Sequence, residues 1–343
     1  MIRARGHGGY GWREGLLDFS TNINPLGTPG DLVLLIKEAV DKGAYSHHPT
    51  ELGDELRSAV ARYEGVDEDL VYVFNGATEA LQLIIMHLRP RALCTLIPNY
   101  TDYLRIARLL GIPTKLIEYW GSSSLRPGIA RDCGEGSVLV LSNPNTPLGY
   151  LIGAGELMEL INEAEGAGVN VIIDESFMDF TSPGSSLIGR VWEFRNLVVV
   201  KSYTKFLAIP GLRVGAAFTR MGIEDLVPTW PVNSIAEYAV SRYLPRAHEF
   251  REETVNFVLR EGRRLLESLM NLGLEVIKSK THYLTFRGAP GLWAELRKHG
   301  ILIRDLSNVP PLGPGYFRVS LRSPSQNDLL IKALSDALGS KIK

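Results

Sequence analysis

The chain has 343 residues, of which 45% are hydrophobic and 22% charged, and its formal net charge is -1. That balance argues against nucleic acid or an anionic membrane as the main partner, and no run of about 18 apolar residues suggests a membrane span. The length leads us to expect two domains, or one large domain with an appendage.

Residues 1–30 read as extended and loop-like, polar and Gly-rich at the start, without an apolar signal core. His7 alone reads as an exposed terminal histidine. Asn24-Pro25-Leu26-Gly27 is a turn. Asp31 is expected to cap an amphipathic helix running to about Lys42. Tyr45-Ser46-His47-His48-Pro49 is a polar loop, and residues 52–63 have helical spacing, with Leu52, Leu56, Val60 and Tyr63 as the packed face.

Residues 71–74 form a strand that runs into Asn75-Gly76-Ala77-Thr78-Glu79 and a helix over 80–88. A strand, a glycine turn and a helix start gather free N–H groups and a positive dipole end, which suits phosphate. The simpler alternative is a helix cap by Asn75 or Thr78. A second strand, 92–97, ends at Pro98-Asn99-Tyr100. There Tyr100 could cover a flat ring or merely pack. Cys94 and Cys133 lack metal-ligand spacing, and no metal site is expected. They read as buried thiols in a reducing cytoplasm, where the protein is expected to reside.

Three further apolar runs follow, 137–141, 169–173 and 197–200, with a crossover helix over 155–167. Alternation of strands and helices predicts an α/β fold with a mainly parallel sheet covered on both faces. Ligands of such sheets sit beyond the carboxyl ends of the strands. Each run ends there in reactive side chains: Asn145 and Thr146 after the first, Asp174 after the second, and Ser202, Thr204 and Lys205 after the third. A lysine following a buried strand is partly desolvated, which favours its neutral, nucleophilic amine. With Ser202, Thr204 and Arg213 nearby to bind a dianion, the run pairs an imine-forming amine with a phosphate cradle, as pyridoxal 5'-phosphate requires. Asp174 would be semi-buried and needs a cation. That cation is either a protonated pyridine nitrogen or, in a structural salt bridge, Arg213 or Lys201.

Beyond residue 218 the pattern changes. A long helical region reaches about Asn271, interrupted near Pro245, with Glu252, Glu253, Arg260, Arg263 and Arg264 as a solvated face. A strand pattern over 275–286, a helix over 292–298, strands over 301–304 and 317–322 and a helix over 326–338 make a small α+β unit, on which the N-terminal segment is expected to pack. Arg304, Arg318 and Arg322 in or near these strands suggest anion recognition, because a guanidinium pairs carboxylate or phosphate bidentately.

These motifs together resemble the fold-type I pyridoxal-phosphate enzymes of aminotransferase class I/II. Within them the chain is similar to the histidinol-phosphate aminotransferase group and to the threonine-phosphate decarboxylases of cobalamin biosynthesis. The likeness is carried by His7-Gly8-Gly9, Asp18-Phe19-Ser20, Asn22 to Gly27, Asn75 to Glu79, Asp174 to Phe180, Thr204-Lys205-Phe206 with Ala208 to Arg213, and Phe317 to Ser320 with Arg322-Ser323. It implies a seven-stranded-type sheet in a large cofactor domain over 41–228, an N-terminal segment 1–40, and a linking helix with a small C-terminal domain over 229–343.

It further implies Lys205 as the Schiff-base lysine, Asp174 against the pyridine nitrogen and Tyr100 on the ring. Gly76, Ala77, Thr78, Ser202, Thr204 and Arg213 would hold the phosphate, and Tyr45 would reach it from the other subunit of a homodimer. Arg318 would bind the substrate carboxylate, Asn24 would also contact substrate, and His7, Arg304 and Arg322 would lie around a substrate phosphate. Two positions depart from the common pattern. Thr146 stands where an asparagine usually meets the ring oxygen, and Phe177 stands where many aminotransferases place a tyrosine; the decarboxylases share the phenylalanine. The expected activity is decarboxylation of L-threonine O-3-phosphate to (R)-1-aminopropan-2-yl phosphate. The alternatives are transamination of a substrate such as histidinol phosphate and, from another class, a non-catalytic cofactor-binding protein.

Overall fold

The computed structural model describes residues 8–121 and 124–339. Its centre is a seven-stranded sheet. In chain order the strands of the structure are β1 (Leu17–Asp18), β2 (Val71–Phe74), β3 (Leu93–Ile97), β4 (Thr114–Glu118), β5 (Val138–Ser142), β6 (Asn170–Asp174), β7 (Leu197–Ser202), β8 (Gly215–Phe218), β9 (Glu275–Ile277), β10 (Tyr283–Arg287), β11 (Ile301–Leu302), β12 (Arg304–Asp305) and β13 (Tyr316–Ser320). The large sheet has the order β2-β8-β7-β6-β5-β3-β4. Its β4, β3, β5, β6 and β7 run parallel, and only β8 is antiparallel to its neighbours. Strands β2, β3, β5 and β7 are buried along their whole length. Their continuous Val, Leu and Ile content is what a sheet covered on both faces demands. Two apolar layers, one on each face, contain alternate residues of the same strands, such as Val199 in one and Val200 in the other.

Strands β12-β13-β10-β9 form a second, antiparallel sheet, and β1 pairs in parallel with β11. The N-terminal strand thus lies along a strand of the C-terminal region. The long helix His248–Asn271 is tied to the helix Pro324–Leu338 through Glu261, which accepts from Arg264 and from Asn327 Nδ2 at 2.8 Å. Arg264 also pairs with Asp328, so this half-exposed residue cross-links the two helices as well as facing solvent.

Other local expectations are corrected. Asp31 lies inside the first turn of the helix Gly30–Asp41 and makes no cap; the N-cap is Pro29. Leu52 is 36% exposed because the helix begins only at Asp54, while Leu56, Val60 and Tyr63 are buried as expected. Cys94 and Cys133 are not free thiols. The extended β3 and the short helix Ile129–Cys133 bring their Cα atoms to 5.9 Å, and the sulfurs form a disulfide.

Candidate active site

A cavity of about 340 Å³ opens at the carboxyl ends of β3, β5, β6 and β7. Each strand delivers a polar or aromatic group there: Asn99 and Tyr100 after β3, Thr146 after β5, Asp174 at the end of β6, and Thr204 and Lys205 after β7. The opposite wall comes from Ser20 to Ile23 and from Arg304, Leu306, Val309 and Arg318.

Lys205 sits on a single helical turn, Tyr203–Phe206, that continues β7. Its Nζ donates to Ser202 Oγ at 2.9 Å, and that oxygen shares a hydrogen bond of 2.8 Å with Thr204 Oγ1. Burial pushes the ammonium down to about 8, helped by the positive charge of Arg213 and opposed by the carboxylate of Asp174. Asp174 is 6% exposed and is held by Tyr103 Oη at 2.9 Å and the Ser176 N–H at 3.0 Å. It makes no salt bridge with Arg213 or Lys201. Lys201 instead pairs with Glu64 at 2.8 Å and Asp179 at 2.9 Å. A buried carboxylate with no full ionic partner among the described residues is an anion awaiting a cation. Tyr103 was not picked out from the sequence. Its signal was the aromatic three residues after Tyr100, one helical turn on.

The phosphate-type corner is built from backbone. Gly76 has φ +88° and precedes the helix Ala77–Leu88, whose first turn has no side-chain cap, so neither Asn75 nor Thr78 caps it. A Cβ on Gly76 would stand 2.6 Å from Arg213 Nη2, and one on Gly215 would run into the backbone of Gly76 and Ala77. Only glycine lets the guanidinium close over this helix start. Arg213 itself holds φ 56°, and Ala208 φ 52°, on either side of Pro210-Gly211. Left-handed backbone at non-glycine residues marks a tightly specified turn, and this one points Arg213 into the cavity. Tyr100 lines the same space, its hydroxyl donating to Asp102 at 2.8 Å and its ionisation pushed up by burial.

Some predicted residues lie elsewhere. His7 is outside the described residues. Tyr45 is 69% exposed, away from the cavity. Asn24 does not face substrate. Its Nδ2 donates to Phe206 O and Thr254 Oγ1, both at 2.9 Å, and its N–H to Lys205 O at 3.0 Å, so it clamps the N-terminal segment onto the lysine turn. Arg322 is not free for an anion either. Its guanidinium donates to the carbonyls of Asp18 and Thr21, both at 2.9 Å. Thr146 Oγ1 accepts from Arg318 Nη1 at 3.0 Å, and Phe177 stands edge-on to Tyr283, with centroids 5.2 Å apart.

The sequence matches the family "aminotransferase class I and II" over residues 14–334. The chain belongs to that family. It is 30% identical to threonine-phosphate decarboxylase of Salmonella typhimurium, over 94% of this chain and 91% of that one. It is 29% identical to histidinol-phosphate aminotransferase of Thermoanaerobacter pseudethanolicus, over 92% of each. In three dimensions it resembles the crystal structure of L-threonine-O-3-phosphate decarboxylase from Porphyromonas gingivalis, with a TM-score of 0.84 at 25% identity, covering 95% of this chain and all of that one. The chain is an enzyme of the pyridoxal-phosphate-dependent class, and its cofactor is pyridoxal 5'-phosphate.

The residues present fit that cofactor. Ala77, Thr78, Thr204 and Arg213 line the cavity and would hold an anion there, with Gly76 and Ser202 behind them; a Cβ on Gly76 would stand 2.6 Å from Arg213 Nη2. Asp174 is the unpaired anion suited to a protonated pyridine nitrogen, and Lys205 is a buried amine with an ionisation near neutrality.

Proposed function

We propose that the enzyme decarboxylates L-threonine O-3-phosphate to (R)-1-aminopropan-2-yl phosphate. The observation that carries this reading is the pair Arg304 and Arg318. Both line the cavity, they sit opposite each other on β12 and β13, and their side-chain partners Asn308 and Thr146 are neutral. Burial pushes Arg318 down to about 10, and the charge of Arg304 adds to this; Arg304 is likewise lowered by burial. Two buried guanidiniums side by side repel each other unless anions lie between them. L-Threonine O-3-phosphate brings a carboxylate and a phosphate in one molecule. Transamination of histidinol phosphate would bring the two anions on separate molecules, the phosphate on the amine and the carboxylate on the keto acid.

When bound, pyridoxal phosphate supplies an electron sink conjugated to the substrate Cα. Arg318 would hold and orient the substrate carboxylate. That carboxylate would leave as CO2, the electron pair of its bond staying on Cα, and Cα would then take one proton. Lys205, whose amine exchanges protons near pH 8, is the general acid within reach of the cavity. Leu306 and Val309 give the anion side an apolar wall.

The second reading, transamination of a phosphorylated amine such as histidinol phosphate, is favoured by the comparable similarity to histidinol-phosphate aminotransferases. It needs the Cα–H bond, not the carboxylate, perpendicular to the ring. Incubating the holoenzyme with carboxyl-labelled L-threonine O-3-phosphate is expected to release labelled CO2. Keto-acid exchange with histidinol phosphate, without CO2 from the first substrate, would overturn the assignment.

We further propose a homodimer in which Tyr45 reaches the partner's phosphate cradle. The supporting feature is its exposure beside Leu34 (63% exposed) and Val40 (44% exposed) on the helix that packs against its turn. Sedimentation is expected to give twice the chain mass. Tyr45→Phe should weaken cofactor retention roughly tenfold, the effect of one hydrogen bond to a charged group, in a dialysis measurement.

A further inference from the structure

Arg304 does not hold itself in place. Its Nη1 donates to Asp305 O at 2.5 Å and its Nη2 to Asn308 Oδ1 at 2.8 Å. Asn308 lies in the segment between β12 and β13, outside the cavity lining. Its Nδ2 is buried and has no hydrogen-bond partner among the described residues. The same segment carries Leu306, Val309 and Leu312, which form a small apolar cluster of their own, apart from the two cores of the large sheet. Two of these, Leu306 and Val309, wall the cavity.

Resting on the phosphorylated-substrate reading above, we propose that Asn308 is a specificity-determining positioning residue, whose carboxamide fixes the Arg304 guanidinium so that it takes the substrate phosphate while Arg318, opposite it, takes the carboxylate. The neutral amide is chemically apt. It accepts from Arg304 without cancelling the positive charge, as an aspartate would, so the guanidinium stays available to a dianion. Its second hydrogen is a buried donor left unmet. The amide also links the anion site to the segment that carries Leu306 and Val309, so phosphate binding and the apolar wall are fastened at one residue.

The test is titration of the holoenzyme with inorganic phosphate, and separately with acetate, for the native protein and for Asn308→Ala, Asn308→Asp and Arg304→Ala. The resting cofactor absorbance of each variant reports that the fold is intact. Phosphate affinity is expected to fall roughly tenfold in Asn308→Ala. In Asn308→Asp, where the carboxylate competes for the guanidinium, it should fall at least roughly 100-fold. Acetate affinity, which reads Arg318, is expected to stay within about twofold. If Arg304→Ala weakens phosphate while both Asn308 variants bind it like the native protein, the positioning role is wrong and the function assignment stands. If the native holoenzyme does not bind phosphate, or Arg304→Ala leaves binding unchanged, the phosphorylated-substrate reading falls and this role with it.

Discussion

Lys205→Ala is expected to lower turnover at least roughly 10³-fold, because it removes both the nucleophilic amine and the proton donor for Cα. Among the described residues, Lys205 is the lysine that lines the cavity. Lys201, four residues earlier on β7, is engaged with Glu64 and Asp179. Borohydride treatment of the native holoenzyme should fix the cofactor to the chain, and the same treatment of Lys205→Ala should leave it dialysable. In the cofactor-free protein, burial lowers the Lys205 ammonium from 10.5 to about 8. Its reaction with an amine-directed reagent is therefore expected to rise with pH and level off above about 8, two units earlier than an exposed lysine. The folded state binds this proton less tightly than the unfolded chain. This side chain consequently favours folding more as pH rises from about 8 to 10.5, and a midpoint near 10.5 would contradict the buried placement.

Much of the fold was readable because parallel strands buried on both faces leave continuous apolar runs, and because each run ended in polar residues at one sheet edge. The helix Leu292–Lys298 matches its expected bounds. The misreadings share a cause, which is that local pattern does not reveal a distant partner. Nothing near Arg322 in sequence shows that the carbonyls of Asp18 and Thr21 will occupy it. The same holds for Asn24, whose partners Phe206 and Thr254 are 182 and 230 residues away. Cys94 and Cys133 are 39 residues apart, and only the packing of β3 against a short helix brings them together. Asn308 was invisible for a related reason: an isolated asparagine in a loop acquires meaning only when Arg304 is seen to lean on it.

Arg318→Ala separates the two readings of the reaction most sharply. Removing one partner of a buried, hydrogen-bonded charge pair costs about 2–5 kcal/mol, so kcat/KM for L-threonine O-3-phosphate is expected to fall roughly 30-fold to several thousand-fold. The loss should appear in kcat as well as KM, because the guanidinium sets which bond to Cα stands perpendicular to the ring and does not merely retain the substrate. The Arg318 Nη1 also donates to Thr146, and its Nη2 to Ser20 O at 3.0 Å, so its position is fixed before substrate arrives. A phosphorylated amine without a carboxylate has no group for Arg318 to orient, and its binding should change far less. If binding of L-threonine O-3-phosphate and of histidinol phosphate to the variant weakens equally, Arg318 acts on the phosphate and the orientation argument for CO2 loss fails. If only the carboxylate-bearing substrate suffers, bond selection at Cα rests on one guanidinium held by the hydroxyl of Thr146, the residue that replaces the family's usual asparagine.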